Sequence, residues 1–398
     1  MKRPINPNIS PNLENVDLAN AFKMIFSPSS ILQGAYAKKV ENWFAKNFNA
    51  QYAFTFAAAR QAEYAVLKAS GISKNDEVLV QAFTCSAVVE PIISLGAKPI
   101  YVDIDQQTLS MNAIDAAKKI SKKTKAVILQ HTFGVPGDIE GLEKLAKDHN
   151  LLLIEDCAHI IKGEYKNKKL GTFSDAAIFS FGRDKAISSV FGGAVIANNK
   201  NLGEKIKKIQ NLAPYPSVSW VYQQLFHPIL TSIVLYLFSI NGILGKLSIF
   251  IFRRIGLIIK PDIAALPQKY PNSLAFLAFS QLARIDEFNK NRLAAFKIYK
   301  KELTNLNLNL PTEEHFYLRV PILVDNKEKL FPYFKNHNVY LGDWYSNIID
   351  LKSMGSCPNA EDIAKKIVNL PSYPTLSQKD VQKVVTLLKD YYGNSKYN

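Results

Sequence analysis

Between residues 77 and 156 the sequence alternates short apolar runs with helical patterns, and this rhythm limits the fold more than any other feature. Glu77-Val-Leu-Val-Gln81, Lys98-Pro-Ile-Tyr-Val-Asp103, Ala126-Val-Ile-Leu-Gln130 and Leu151-Leu-Leu-Ile-Glu-Asp156 read as strands. Helical spacing over 87–95, 113–120 and 142–149 separates them. Strands that are apolar along their length, each followed by a helix, predict a mainly parallel sheet covered on both faces. Ligands of such sheets bind beyond the C-terminal strand ends. The polar residues expected there are Thr84 and Cys85, Asp103 and Asp105, His131, and Asp156 with His159. No Gly-x-Gly-x-x-Gly follows the first strand and no P-loop pattern occurs, which argues against dinucleotide and nucleoside triphosphate sites.

The second constraint is a lysine. An apolar run, 176–181, leads into the polar turn Gly182-Arg-Asp-Lys185, and Gly192-Gly193 opens another apolar run. A lysine between two buried strands is placed for desolvation and use as a nucleophile, as in a Schiff base with a carbonyl cofactor. The same turn also reads as an ordinary surface loop. Asp156 follows four apolar residues and a glutamate. A carboxylate there is costly to bury unless it meets a cation or a protonated ring nitrogen, and otherwise it caps the next turn. Taken together, a carboxylate for a pyridinium nitrogen and a lysine for an aldehyde are the protein groups that pyridoxal phosphate chemistry requires. Upstream, Ala57-Ala-Ala-Arg60 opens a helical pattern that Gly71 closes. Small residues at a helix start either let backbone N–H groups approach an anion, with Arg60 adding charge, or simply pack tightly.

Composition narrows the setting. Cys85, Cys157 and Cys357 are too widely spaced for a disulfide framework or a zinc pattern, so a reducing compartment and no metal are expected. The first residues, Met1-Lys-Arg-Pro, start no apolar signal-peptide core, and a cytoplasmic location follows as the expectation. The balance of 49 Lys+Arg against 34 Asp+Glu, a net +15, favours anionic partners.

At this point the chain resembles the DegT/DnrJ/EryC1/StrS sugar aminotransferases, pyridoxal phosphate enzymes of fold type I. The stretches that carry the resemblance run through most of the sequence. They include Gly71 to Thr84, Gly96-Ala-Lys-Pro-Ile-Tyr-Val-Asp-Ile-Asp105, His131-Thr-Phe-Gly-Val-Pro-Gly-Asp138 and Ile154-Glu-Asp-Cys-Ala-His159. Further on are Phe179-Ser-Phe to Lys185, Gly192-Gly193, Gln281-Leu-Ala-Arg-Ile-Asp-Glu287 and Leu370-Pro-Ser-Tyr-Pro-Thr-Leu-Ser377. The resemblance implies an α/β fold with a three-layer large domain, mainly parallel in its sheet, and a smaller C-terminal α+β domain. The expected division is 1–265 for the N-terminal arm and cofactor domain and 266–398 for the small domain. It further implies pyridoxal 5′-phosphate as cofactor, with Lys185 bonded to it and then carrying the proton. Asp156 would pair with the ring nitrogen, His159 with the ring hydroxyl, and Ser180, Ala59 and Arg60 with the phosphate. The implied reaction moves an amino group from an amino acid, glutamate by preference, to a keto-sugar on a nucleotide, in surface polysaccharide or glycoconjugate biosynthesis. A homodimer with shared sites is the implied assembly, and nucleic acid is not an expected partner.

This sequence departs from the family pattern in places. Ala58-Ala59-Arg60 stands for Ser-Gly-Thr, Cys85 for the aromatic that stacks on the cofactor, and Ala186 for the Asn after the lysine. The Asn/Arg segment given by a neighbouring subunit is poorly matched near Gln268 and Lys269. The family also holds sugar dehydratases in which His replaces the lysine, and Lys185 argues against that chemistry.

One stretch, about 213–260, is an apolar insert relative to the pattern. No acidic residue lies between Glu204 and Asp262, and no charged residue between Lys208 and Lys246. The sequence predicts two short apolar helices, 229–240 and 243–252, broken at Asn241-Gly242 and each too short to span a bilayer. Trp220, Tyr222 and Tyr236 are interfacial types, and Arg253, Arg254 and Lys260 could meet lipid phosphates. A hairpin in the membrane interface, with the protein peripheral on its inner face, is one expectation. Burial against the body or a dimer partner is the other. Two functional alternatives accompany the first: an aminotransferase for a lipid-linked sugar, and a non-catalytic membrane-associated scaffold.

Overall fold

The apolar runs become strands of one seven-stranded sheet. The computed structural model describes residues 4–6, 8, 10–254, 256, 265–306, 308–349 and 355–393. The chain enters through α1 (Asn15–Ile25), α2 (Tyr36–Phe48), β1 (Tyr52–Phe56) and α3 (Ala59–Ala69). The alternation follows as β2 (Glu77–Gln81), α4 (Ser86–Ser94), β3 (Lys98–Val102), α5 (Ala113–Lys119), β4 (Thr124–Gln130), α6 (Ile139–Asp148) and β5 (Leu152–Asp156). A small hairpin, β6 (Glu164–Tyr165) and β7 (Lys168–Lys169), precedes β8 (Ala176–Ser180), β9 (Gly193–Ala197) and α7 (Lys200–Leu212). The sheet order is β1-β9-β8-β5-β4-β2-β3. β3, β2, β4, β5 and β8 run parallel, and β9 is antiparallel to both β8 and β1.

Side chains alternate across this sheet, so each strand feeds two cores. Val127 and Leu129 join Phe44 of α2 and Leu142 of α6 on one face. Ala126 and Ile128 join Val66 of α3, Val89 of α4 and Ile206 of α7 on the other. These side chains are almost wholly buried, and each Val, Leu, Ile or Phe so placed contributes about 1.5–3 kcal/mol. This is the three-layer α/β arrangement expected from the sequence. β1 is not evident from the sequence because Thr55 interrupts its apolar run. In the fold Thr55 is buried, and both its N–H and its Oγ1 donate to Glu41 Oε1 at 3.1 Å.

The insert folds as a helical hairpin, α8 (Val218–Ile240) and α9 (Gly242–Arg254). Its first helix is 23 residues long, not the short 229–240 segment predicted from sequence, so the length argument against a span fails for α8. The helix continues through Pro228 because a proline removes a single N–H, and the turns around it are packed: Val221, Leu225 and Leu230 are buried. Of the residues expected to meet lipid, Lys260 lies outside the described residues.

The C-terminal part holds α10 (Asn272–Leu282), α11 (Ile285–Leu303), β10 (Arg319–Leu323), α12 (Lys327–Asn336), α13 (Pro358–Lys366), β11 (Ile367–Pro371) and α14 (Gln378–Gly393). β10 pairs antiparallel with β11. Leu274, Leu277 and Leu282 of α10 pack into the sheet's core, whereas Phe296 and Tyr299 of α11 start a separate core with Val320 and Val385. The change from one core to the other thus falls within α11.

Candidate active site

β5 ends on adjacent carboxylates that point to opposite sides of the strand. Glu155 is spent on structure. It accepts from the N–H groups of Gly171 at 2.6 Å and Phe173 at 2.8 Å, from Ser174 Oγ at 2.9 Å, and from His131 Nε2 at 3.0 Å. Asp156 faces a cavity of about 360 Å³ at the C-terminal strand ends, lined also by Ala59, Arg60, Cys85, His159, Ser180 and Lys185. The seven residues singled out from the sequence thus share one cavity. The other polar residues expected at the strand ends are used elsewhere. Asp103 accepts from the N–H groups of Asn359 and Ala360 and ties α13 to the sheet. Asp105 caps the turn at Gln107 and Thr108, and Thr84 bonds Gln130.

The loop carrying Lys185 is fixed at its backbone. Asn12 Nδ2 donates to the Lys185 carbonyl at 2.8 Å, and Arg292 Nη2 donates to that of Ala186 at 2.8 Å. Ser188 N–H donates to Gln281 Oε1 at 2.7 Å. Only the side chain of Lys185 is left to reach into the cavity, where its Nζ lies 4.7 Å from the Trp344 ring centre. Asp156 Oδ1 accepts from Ala158 N–H at 2.9 Å. Burial raises the Asp156 pKa, and that hydrogen bond, Lys185 and His131 pull against the rise. His159 Nδ1 accepts from Phe133 N–H at 3.0 Å, which leaves the ring proton on Nε2, 3.3 Å from Tyr345 Oη. Burial, with Lys185 and Arg319 nearby, holds His159 well below its ordinary pKa, so it is neutral at pH 7.

At the start of α3 the capping residue Ala58 offers no side-chain bond, and the first helical N–H groups have no partner within the helix. β9 crosses this end at backbone contact. A side-chain carbon on Gly193 would sit 2.4 Å from the Ala59 Cα, so both positions need small residues. Arg60 forms an ion pair with Glu90 beside the cavity. Gln268 and Lys269 lie close by on the same chain, where Gln268 O accepts from Ala57 N–H at 3.0 Å.

The cavity also contains residues that sequence reasoning passed over. Trp344 and Tyr345 come from the C-terminal unit. Trp344 stacks on His159 at 5.6 Å, and the Arg319 guanidinium lies 3.6 Å from its ring centre. Arg319 is itself held by Asp184 at 2.9 Å. No local pattern in Gly342-Asp-Trp-Tyr345 points to the sheet, and only the fold unites them. Glu63, one turn into α3, is 5 % exposed and lines the cavity, and its Oε1 has no hydrogen-bond partner among the described residues. Its one sequence signal is a carboxylate amid the apolar positions of α3.

Glu63 yields a pH prediction. Burial raises its pKa well above the usual carboxylate value, and Asp156 adds to the rise. A group raised on folding supports the fold fully below its unfolded value of about 4.3 and loses that support as pH climbs through the folded value. The melting temperature of Glu63→Gln minus that of the parent is therefore expected to grow between pH 5 and pH 8. An equal difference at both pH values would refute this assignment.

A family model for the DegT/DnrJ/EryC1/StrS aminotransferases matches residues 13–226 and 258–389. GDP-perosamine synthase of Escherichia coli O157:H7 is 31% identical over 379 residues, covering 91% of this chain and 92% of that protein. UDP-N-acetyl-3-dehydro-alpha-D-glucosamine 3-aminotransferase of Acidithiobacillus ferrooxidans is 24% identical over 376 residues, with 92% and 91% covered. The structure of NtdA from Bacillus subtilis with bound PMP superposes with a TM-score of 0.77 at 18% identity, covering 98% of this chain and 86% of that one.

Proposed function

The chain belongs to the DegT/DnrJ/EryC1/StrS aminotransferase family, and from that premise we propose that it moves an amino group from glutamate to a keto-sugar carried on a nucleotide. The family is pyridoxal phosphate-dependent and the protein is an aminotransferase of class EC 2.6.1.-. The observation that carries the finer reading is the presence of Lys185 and Asp156 in one cavity with the start of α3. Relatives named for GDP- and UDP-linked sugars support a nucleotide-borne acceptor.

The cavity fits pyridoxal 5′-phosphate by the chemistry of its walls. Asp156 would hold the ring nitrogen in its protonated state, and the neutral His159 would donate from Nε2 to the ring hydroxyl. Ser180, the N–H groups at Ala59 and Arg60, and the Arg60 side chain would hold the phosphate, a helix N-terminus being suited to an anion. Bound there, the cofactor supplies an electron sink that makes the α-hydrogen of the amino acid acidic. Lys185 then has one task that the protein alone performs, which is to take that proton and return it on the other side of the transfer. Cys85 leaves one ring face thinly covered, and Trp344, stacked on His159, is an aromatic side chain lining the same cavity.

Trp344→Ala is accordingly expected to weaken cofactor retention by about 10-fold, the upper worth of one aromatic stack. Equilibrium dialysis against pyridoxal phosphate measures this, and unchanged affinity would remove Trp344 from the binding surface. The reaction itself is tested by loading the enzyme with cofactor and adding glutamate. The aminated enzyme is then offered GDP-, UDP- and dTDP-linked keto-sugars. Consumption of a nucleotide keto-sugar with return of the original spectrum is the expected result. Return only with free keto-acids would overturn the sugar assignment.

A further inference from the structure

From His227 onward the hairpin lies between the two stretches matched by the family model, which leave residues 227–257 unmatched. Its two helices are partnered unequally. α8 packs on α1 and α10 and buries Leu230, Val234, Leu235 and Phe238. α9 rests on α8 through Gly245, where an added Cβ would lie 2.2 Å from the Phe238 ring. Ser248, the other buried residue of α9, closes its hydroxyl onto the Gly245 carbonyl at 2.8 Å.

The rest of α9 turns its apolar side outward. Ile243, Leu244, Leu247, Phe250 and Ile251 are 42–73% exposed and recur at i, i+1, i+4, i+7 and i+8. That is the periodicity of a helix with an apolar stripe, but here the stripe faces away from the core. Ile240, at the end of α8, extends it. The charges of α9 are all positive: Lys246, Arg253 and Arg254, each exposed. No acidic residue occurs from position 205 to 261 to balance them.

We propose that α9 and the adjoining end of α8 form a monotopic anchor that seats this stripe in the outer part of a bilayer carrying anionic headgroups. Thirteen helical residues span about 20 Å, short of the roughly 30 Å of a hydrocarbon core, so α9 lies in the interface and does not cross it. α8 is long enough to cross but is half buried against the protein. Charge decides between lipid and a second copy of the chain. Two copies of this face would set cation against cation, whereas anionic lipid supplies the missing sign. The hairpin is also rooted at the catalytic loop: Trp220 packs on Phe191 at 5.3 Å, and Gln224 Oε1 accepts from Arg183 at 3.4 Å. Docking would hold the cavity close to the membrane surface.

Flotation of the full-length protein with phosphatidylcholine vesicles, with and without phosphatidylglycerol, tests this. The parent is expected to float with the anionic vesicles. Arg253→Gln/Arg254→Gln should weaken that binding about 30-fold, two cations' worth. Ile243→Ser/Leu247→Ser/Phe250→Ser should abolish it without changing aminotransferase turnover, since all three side chains are exposed. Failure of the parent to float, or flotation by the triple variant equal to the parent's, overturns the proposal. If the triple variant changes only the mass measured by light scattering and the parent never binds vesicles, the face joins copies of the chain, and the proposal is equally overturned.

Discussion

Lys185→Ala is expected to lower amino transfer by about 10⁴-fold, the upper range for loss of a positioned proton carrier, with the covalent role of the amine lost as well. The fold should survive the change. The loop is held at the Lys185 and Ala186 carbonyls by Asn12 and Arg292, bonds that no side chain at 185 supplies. Melting temperature without cofactor should therefore stay near the parent's at low pH and fall modestly at pH 8, where Lys185 offsets part of the cost of the buried Asp156 charge. Lys185→Arg sharpens the test, because a guanidinium keeps the positive charge beside Trp344 but cannot give up its proton. If charge alone mattered, the Arg variant would retain activity; proton transfer requires that it fail with Ala. The measurement is single-turnover conversion of the loaded enzyme on mixing with glutamate, followed by absorbance. Turnover of either variant within tenfold of the parent would remove Lys185 from the reaction.

The features of the site that were legible in the sequence are those fixed by a strand end. Asp156 closes a run whose apolar residues can only be a buried strand, so its carboxylate has to emerge at the ligand edge of the sheet. Ser180 ends β8 and was singled out by the resemblance alone, whereas Lys185 was legible as a lysine in a polar turn between two apolar runs. Ala59 and Arg60 were readable because a helix start has a local signature. Trp344, Tyr345 and Glu63 were not readable. The first two arrive from the second unit, and their contact with His159 is set by how the chain returns to the sheet, which no local periodicity encodes. Glu63 looks like any polar residue on a helix until the packing of α3 turns it inward. The apolar hairpin was legible as composition but not as length. Pro228 reads as a boundary in sequence, yet buried neighbours on either side carry the helix through it.

Asp156→Asn is expected to cost about 10²- to 10³-fold in turnover, as removal of one member of a buried charge pair costs some 2–5 kcal/mol. The amide keeps the shape, and its oxygen can still accept from Ala158 N–H. It cannot hold a proton on the ring nitrogen of the cofactor. The effect on stability should run the other way. Burial raises the Asp156 pKa, so without cofactor the carboxylate supports the fold below its unfolded value of about 3.9 and loses that support as pH rises through the folded value. At pH 8 the charge is unfavourable in the empty cavity, with Lys185 and His131 offsetting only part of the cost. Asp156→Asn without cofactor should then melt at or above the parent's temperature at pH 8, with the gain shrinking toward pH 4. Adding pyridoxal phosphate should raise the parent's melting temperature more than the variant's. A residue needed only for folding would show the opposite pattern, a lower melting temperature with and without cofactor alike. Finding that pattern would withdraw Asp156 from the cofactor and return it to the role of a turn cap.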